Sequence, residues 1–413
     1  MTSLLIRCVT VISLLSLAAC GGGGGGGGDE KTSFTVGGTV SGLVGTVQLQ
    51  NNGGDTLSRS ANGRFTFATA LADGEDFDVT VLTQPGSPNQ TCVVGSGSGT
   101  IDGDDVTNIT VSCTTNTYAI GGTIGGLIGT VELQNNGGDT LSRSANGGFT
   151  FATGVADGAA YDVTVVTQPS APSQTCVATN ATGTVNGSAV TDIDVTCVTN
   201  TYTIGGTISG LAASTTIVLQ NNGGDALSRS ANGGFTFPTA VADGSAYNIT
   251  VQTQPAGQVC TVSNGSGTLA GSGISNVGIT CLTAYTIGGT ISGLDGTVTL
   301  QNNGGDDLPV SVNGSFTFVT GVANGGAYEV TVLAQPTGPN QTCVPASNTG
   351  TVSGANVTGI TITCTTNTYA IGGVVSGLSG TVTLRNNGGD DLMLNADRSF
   401  TFLVAITDGT AYA

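Results

Sequence analysis

The stretch Leu49–Phe67 recurs, lightly edited, at Leu133–Phe151, Leu219–Phe237, Leu300–Phe318 and Leu384–Phe402. No other feature constrains the fold as strongly, because a recurring segment makes the chain a series of similar units. The units begin at Phe34, Tyr118, Tyr202, Tyr285 and Tyr369, spaced by 84, 84, 83 and 84 residues. That period exceeds the 20 to 50 residues of a solenoid repeat and suits one small domain per copy. Within each copy the stretch reads as three strands joined by two tight turns. Asn-Asn-Gly-Gly and Asn-Gly tolerate the positive φ of hairpin turns, and Phe65 and Phe67, two apart, share one face of a strand.

Copy two shows the strands plainly. Tyr118–Ile124 opens it, with a bend or bulge expected at Gly121-Gly122. Thr130–Gln134 turns Val131 and Leu133 inward, Thr140–Ala145 follows the turn, and Gly148–Ala152 carries Phe149 and Phe151. Tyr161–Thr167 places Tyr161, Val163 and Val165 on one face, and two last strands flank Asn186-Gly187. Seven strands with turns every 8 to 12 residues predict a two-sheet sandwich. All 20 aromatic residues fall at four equivalent positions per copy, which reads as core. Copy three gains two residues near Ala212-Ala213 and loses two between Pro255 and Cys260, where this scheme puts loops.

Eight cysteines form four pairs: Cys92/Cys113, Cys176/Cys197, Cys260/Cys281 and Cys343/Cys364. The pair midpoints are Asp102-Gly103, Asn186-Gly187, Ala270-Gly271 and Ser353-Gly354. If each X-Gly is a two-residue hairpin turn, the two cysteines lie opposite each other, with Cα atoms about 4.5 Å apart. That is within disulfide range. A Gly-Ser-rich segment such as Gly95–Gly99 would break this count if it bulges. Two cysteines without His or a CxxC spacing make a poor metal site.

Composition narrows the function. The formal charge is −18, from 26 acidic and 8 basic residues, with no His and no Trp. Such a chain repels nucleic acid, whose recognition needs Lys and Arg clusters. Without His there is no His-based triad and no common zinc site. Gly95-Ser96-Gly97-Ser98-Gly99 matches a nucleophile elbow as text only, since no helix follows. Asp104-Asp105, Asp306-Asp307 and Asp390-Asp391 are adjacent on strands, face opposite ways, and make poor acid–base pairs. No cofactor and no enzymatic activity are expected. The one ligand considered at the Asn-Asn-Gly-Gly-Asp turn is calcium, with Asp55, Asp139, Asp225, Asp306 and Asp390 as candidates. Turn chemistry explains the same residues without a metal.

The first 20 residues read as a secretion signal: Arg7, then the apolar run Val9–Leu17, too short to span a membrane. The run ends Leu17-Ala18-Ala19-Cys20, which resembles the lipobox of bacterial lipoproteins. The resemblance implies a lipid on Cys20, loss of Cys8 with the signal, and, with Gly21 rather than Asp next, an outer-membrane address. Gly21–Gly28 is a flexible tether spanning roughly 15 Å, and Asp29–Ser33 completes a polar spacer.

Gly37–Leu43, Gly45–Leu49, Asn62–Phe67 and Asp73–Val81 together resemble prealbumin-like modules, including the carboxypeptidase regulatory-like and collagen-adhesin B-type domains. The whole chain is similar to tandem-repeat lipoproteins of Gram-negative bacteria. The resemblance implies an Ig-like, seven-stranded Greek-key sandwich used as a spacer or adhesive stalk. Some collagen-adhesin modules carry a Lys–Asn or Lys–Asp cross-link. Lys31, the only lysine, lies outside the repeats.

The expected organisation is a signal at 1–20, a tether at 21–33, repeats at 34–117, 118–201, 202–284 and 285–368, and a partial repeat at 369–413. Modules of about 30–35 Å each would give a string on the order of 150 Å. The membrane is the expected partner through Cys20, with an extracellular protein or glycan as the class of ligand. Two other readings are carried: the stalk of a larger protein whose working domain lies beyond Ala413, and a calcium- or glycan-binding module.

Overall fold

A computed structural model describes residues 32–413, and Cys20, Lys31 and the glycine run Gly21–Gly28 lie outside the described residues, while Ser33, expected at the end of the tether, already belongs to the first strand. No helix occurs among the described residues. The first module has ten strands: β1 (Ser33–Phe34), β2 (Val36–Ser41), β3 (Val47–Asn51), β4 (Asp55–Arg59), β5 (Gly63–Thr66), β6 (Leu71–Ala72), β7 (Asp76–Thr83), β8 (Gln90–Gly95), β9 (Ser98–Thr100) and β10 (Val106–Thr115). One sheet has the order β5-β2-β10-β8 and the other β4-β3-β7-β9, while β1 and β6 form a short separate pair. The two sheets face each other over Val36, Val40, Leu49, Phe65, Val79, Ile109 and Val111, all buried. Alternate residues of β3 and β10 turn inward, as a half-buried strand requires. Phe65 and Phe67 meet edge to face at 5.8 Å.

The next three modules repeat this plan around their own separate cores. The chain is therefore a tandem all-β sandwich protein.

At the centre of the first sheet, β2 and β10 run parallel, Val36 opposite Val106 and Val40 opposite Val111. Gly38 is where they approach most closely. A Cβ there would run into the carbonyl of Ile109, so no other residue fits without moving the backbone. The ladder shifts register beside it, and the counterpart shift in the second module falls between Ile120 and Gly122, at the double glycine.

Two expectations need correction. The sandwich has eight strands in its two main sheets rather than seven, and the segment between the cysteines is not one hairpin. After Gly95 the chain turns at Ser96, whose φ is 56°, and crosses to the other sheet as β9. There Asp76, Phe77 and Asp78 pair with Thr100, Gly99 and Ser98. A continuous hairpin would leave the outer edge of β7 unpaired and Ile101 outside the core. The crossing pairs that edge and buries Ile101. The register counted from Asp102-Gly103 nevertheless holds beyond the crossing, with Cys113 directly opposite Cys92.

Residues 369–413 form three two-stranded pairs, Thr368–Tyr369 with Ile406–Thr407, Gly372–Val375 with Arg398–Thr401, and Val382–Asn386 with Asp390–Leu394. Leu384 is half-buried where Leu49 is fully buried, and Tyr412 is 68% exposed where Tyr161 is 9%. With less apolar area removed from water, this segment is held less firmly. Limited proteolysis of the chain should trim residues 369–413 before any cut appears within 118–201. Equal cleavage rates for the two segments would contradict this.

Candidate functional site: repeated turns and cystines

The residues singled out in the sequence gather at two places in each module. The first is the Asn-Asn-Gly-Gly-Asp turn joining β3 to β4. Asn52 and Gly53 adopt φ of 51° and 71°, and the Gly54 N–H donates to the Asn51 carbonyl at 3.2 Å. These are the signs of a type I′ turn. The turn's polar atoms are already engaged. Asn52 accepts the Asp78 N–H at 2.8 Å through Oδ1 and donates to the Asp76 carbonyl at 2.8 Å through Nδ2. Buried Asn51 accepts the same N–H at 3.1 Å. Asp55 Oδ2 accepts the Thr69 N–H at 2.8 Å.

The same carboxylate contact recurs at Asp139, Asp306 and Asp390, to Thr153, Thr320 and Val404. Asp225 breaks the pattern, and its Oδ2 is buried without a partner. Pro238, found in this copy only, lies next to the residue that would donate. A shallow recess of about 300 Å³ lies beside the first turn, lined by Asn51, Asn52, Gly54, Asp55, Thr69 and Leu71. Each turn brings a single carboxylate to the recess, and no group of three metal-ligating side chains occurs among the described residues. In the first copy the turn's asparagines fasten β3 to β7 and Asp55 holds the loop after β5, while Asn302 Oδ1, the equivalent of Asn51 in the fourth copy, is buried without a partner.

The second place is the cystine. Bonds join Cys92–Cys113, Cys176–Cys197, Cys260–Cys281 and Cys343–Cys364, each with Cα atoms 3.9 Å apart. β8 is an edge strand, so the outward N–H and carbonyl of Cys92 need partners. Gln84 supplies both. Its Oε1 accepts the Cys92 N–H at 2.7 Å and its Nε2 donates to the Cys92 carbonyl at 3.0 Å. Gln168, Gln254 and Gln335 do the same for Cys176, Cys260 and Cys343.

Sequence reading missed these glutamines because each precedes a proline and reads as part of a loop. It also missed Gln90, which is buried. Gln90 accepts from Val44 N at 2.7 Å and donates to the Gly42 carbonyl at 2.9 Å and Thr115 Oγ1 at 3.1 Å. A third amide, Asn62, does more than shape its turn. Its Oδ1 accepts Leu43 N at 2.8 Å and its Nδ2 donates to Leu43 O at 3.1 Å. The only signal for these roles was recurrence at equivalent positions.

In the last copy Asp397 replaces this asparagine and accepts the N–H groups of Gly377 and Leu378 at 2.7 and 2.6 Å. Those two bonds, Leu378 first, hold its carboxyl below the ordinary aspartate range.

Comparisons with known proteins come only from solved structures. No family model and no curated protein matches the chain. Among solved structures it is similar to the TIE protein of Bacillus anthracis, at 14% identity and a TM-score of 0.36, over 81% of this chain and 69% of that one. Two B repeats of the collagen-binding protein of Staphylococcus aureus match at 15% identity and a TM-score of 0.21, over 81% and 99%. The pilus adhesin of Lactobacillus rhamnosus GG, in its open conformation, matches at 11% and 0.26, over 81% and 54%. At these scores the likeness carries no argument. The class of the chain, a series of cystine-stapled β-sandwiches, rests on its own strands and bonds.

Two outcomes are expected. Replacing the second cystine (Cys176→Ser with Cys197→Ser) should destabilise that module by about 3 kcal/mol on the loop-entropy account. Hydrogen exchange should then rise across 118–201 and stay unchanged across 202–284. A change below about 0.5 kcal/mol, the size of an ordinary surface substitution, would reject a stapling role.

The Asp397 clamp has a pH sign. A carboxyl with a depressed folded pKa contributes stability present above its unfolded value, and this is lost as pH falls through the folded one. Protection of the Gly377 and Leu378 amides, taken relative to their intrinsic exchange rate at each pH, should therefore fall only as pH drops below the usual aspartate pKa of about 3.9. Asp397→Asn should remove that dependence. An unchanged profile in the variant would place the cause elsewhere.

Proposed function

We propose that the chain is a non-enzymatic cell-surface spacer or adhesin, anchored in the outer membrane through a lipid on Cys20. The observation that carries the reading is the order of parts along the sequence: Leu17-Ala18-Ala19-Cys20, then the glycine tether, then tandem modules joined by a few residues each. A lipid, a flexible lead and a series of folded units suit a protein that holds something away from a membrane. Cystines suit the oxidising side of that membrane. The strongly acidic surface keeps such a chain soluble and apart from anionic lipid headgroups. The turn and cystine side chains support the reading as well, since they bond to the module's own backbone and present no reactive pair.

The test is fractionation of cells making the full chain and its Cys20→Ser variant, with mass spectrometry of the mature amino terminus. The parent chain should carry a lipid on Cys20, sediment with outer membranes and be degraded by protease added to intact cells. The variant should be released in soluble form. A parent chain that is soluble and unlipidated would overturn the anchor. A lipidated chain protected from added protease would overturn the surface location.

A further inference from the structure

Three of the four module junctions carry one side-chain contact that the remaining junction lacks. Between the first and second modules, Asp157 Oδ2 accepts the N–H of Asn89 from the preceding module at 2.6 Å, while Oδ1 accepts that of Gly187 at 2.6 Å. Asn89 Nδ2 also donates to the Tyr118 hydroxyl at 3.3 Å. Gly158 sits close enough to Pro88 that a Cβ on it would touch the ring at 3.7 Å.

The next junction repeats the arrangement. Asp243 accepts Ser173 N at 2.6 Å and Gly271 N at 2.7 Å, Ser173 Oγ lies 2.9 Å from the Tyr202 hydroxyl, and Gly244 faces Pro172. At the last junction Asp408 accepts Asn340 N at 2.6 Å and Gly409 faces Pro339. Asp157 and Asp243 are 8% and 5% exposed. Their N–H donors, Asn89 first for Asp157 and Gly271 first for Asp243, hold both carboxyls below the usual range. Both are therefore charged at neutral pH, and charge-assisted bonds are the stronger kind.

At the junction of the third and fourth modules three things change together. Asn324 replaces the aspartate, is exposed, and accepts only Gly354 N, at 2.8 Å and within its own module. The loop that would donate to it, Pro255-Ala256-Gly257, is two residues shorter and lacks the second proline, and Gly325 lies next to open space. The connector is one residue shorter, so a single strand, Ile274–Tyr285, runs across the junction. What remains is one backbone bond, Asn324 N to Thr283 O at 2.8 Å, the two-residue ladder of Ala284 and Tyr285 with Ala323 and Val322, and the strand Gln258–Ser263 lying end to end with Val322–Ala323 beside that ladder. The other junctions have equivalents of the bond and the ladder.

We propose that Asp157, Asp243 and Asp408 are latches that fix the angle between neighbouring modules, and that the third junction is an unlatched joint between residues 34–284 and the modules that follow. A two-residue ladder along one strand resists stretching but leaves rotation about that strand open. The latch adds a second attachment, off that axis, through the loop before β8 and its counterparts. Modules joined by few contacts move relative to each other unless such an attachment exists.

Double electron–electron resonance on the full mature chain tests this. Non-cysteine spin labels go at the equivalent exposed positions Thr56, Thr140, Ala226 and Asp307, taken in neighbouring pairs. Distance distributions for 56/140 and 140/226 should be narrow, and 226/307 about twice as wide or more, as a joint with few contacts allows. Asp243→Asn should widen 140/226 to match 226/307 and leave 56/140 unchanged. Equal widths for the three parent pairs would overturn the proposal, as would a 140/226 width indifferent to Asp243→Asn. If that variant loses its cystines, the reverse change serves: Asn324→Asp with the third module's Ala256-Gly257 replaced by Ser-Ala-Pro-Ser. This should narrow 226/307, and an unchanged width would count against the latch. These distances belong to the chain alone, so they stand or fall separately from the surface reading.

Discussion

The parallel contact of β2 with β10 is the constraint on which the rest depends. It joins the first long strand of a module to its last, at the middle of a sheet. Because the two run the same way, the chain comes in at one end of the module and leaves at the other. An antiparallel pairing would return it to its starting end, and consecutive modules would have to be joined by long connections. The parallel pairing removes that need, and Asn116 alone separates β10 from the first strand of the next module, Thr117–Tyr118. The double glycine is what permits the close approach, since a side chain at Gly38 would collide with the backbone of Ile109. Tandem order along the sequence and passage through each module thus follow from one backbone contact.

Much of this was legible beforehand. The period, the all-β sandwich, the inward Val131, Leu133, Phe149 and Phe151, and the kink at Gly121-Gly122 all follow from period-two alternation and turn residues. These are local signals. The pairing of β2 with β10 was not legible, because strands some 70 residues apart leave no trace of their direction in either segment. Nor was β9, since Ser98–Thr100 has no apolar alternation and its place is set by the unpaired edge of β7. The cystine register was read correctly through a turn that does not exist, because the chain rejoins β10 in the register a hairpin would have had.

The candidate site was less legible than the fold, for a related reason. Gln84, Gln90 and Asn62 act through both ends of a planar amide, each offering one donor and one acceptor to backbone groups that would otherwise be unpaired. A side chain doing the work of a neighbouring strand has no sequence period. Its meaning appears only when the edge it covers is known. The chain relies on such amides where charged pairs are scarce. Arg385–Asp391 is the one ion pair among the described residues, and it is exposed.

Variation among the copies separates what the fold requires from what it tolerates. The third module loses two residues between Gln254 and Cys260, yet the glutamine still brackets the cysteine through both bonds, at 2.7 and 3.1 Å. The deletion falls wholly in the loop, at the residues that elsewhere reach the next module. A random deletion in that loop would be expected to leave its partner aspartate behind as a carboxylate with one donor missing, which is costly to hold in a closed interface. The position instead carries Asn324, and the connector has shortened as well. Three changes that each make sense only with the others mark the third junction as a joint of a second kind, built on the same backbone ladder as its neighbours.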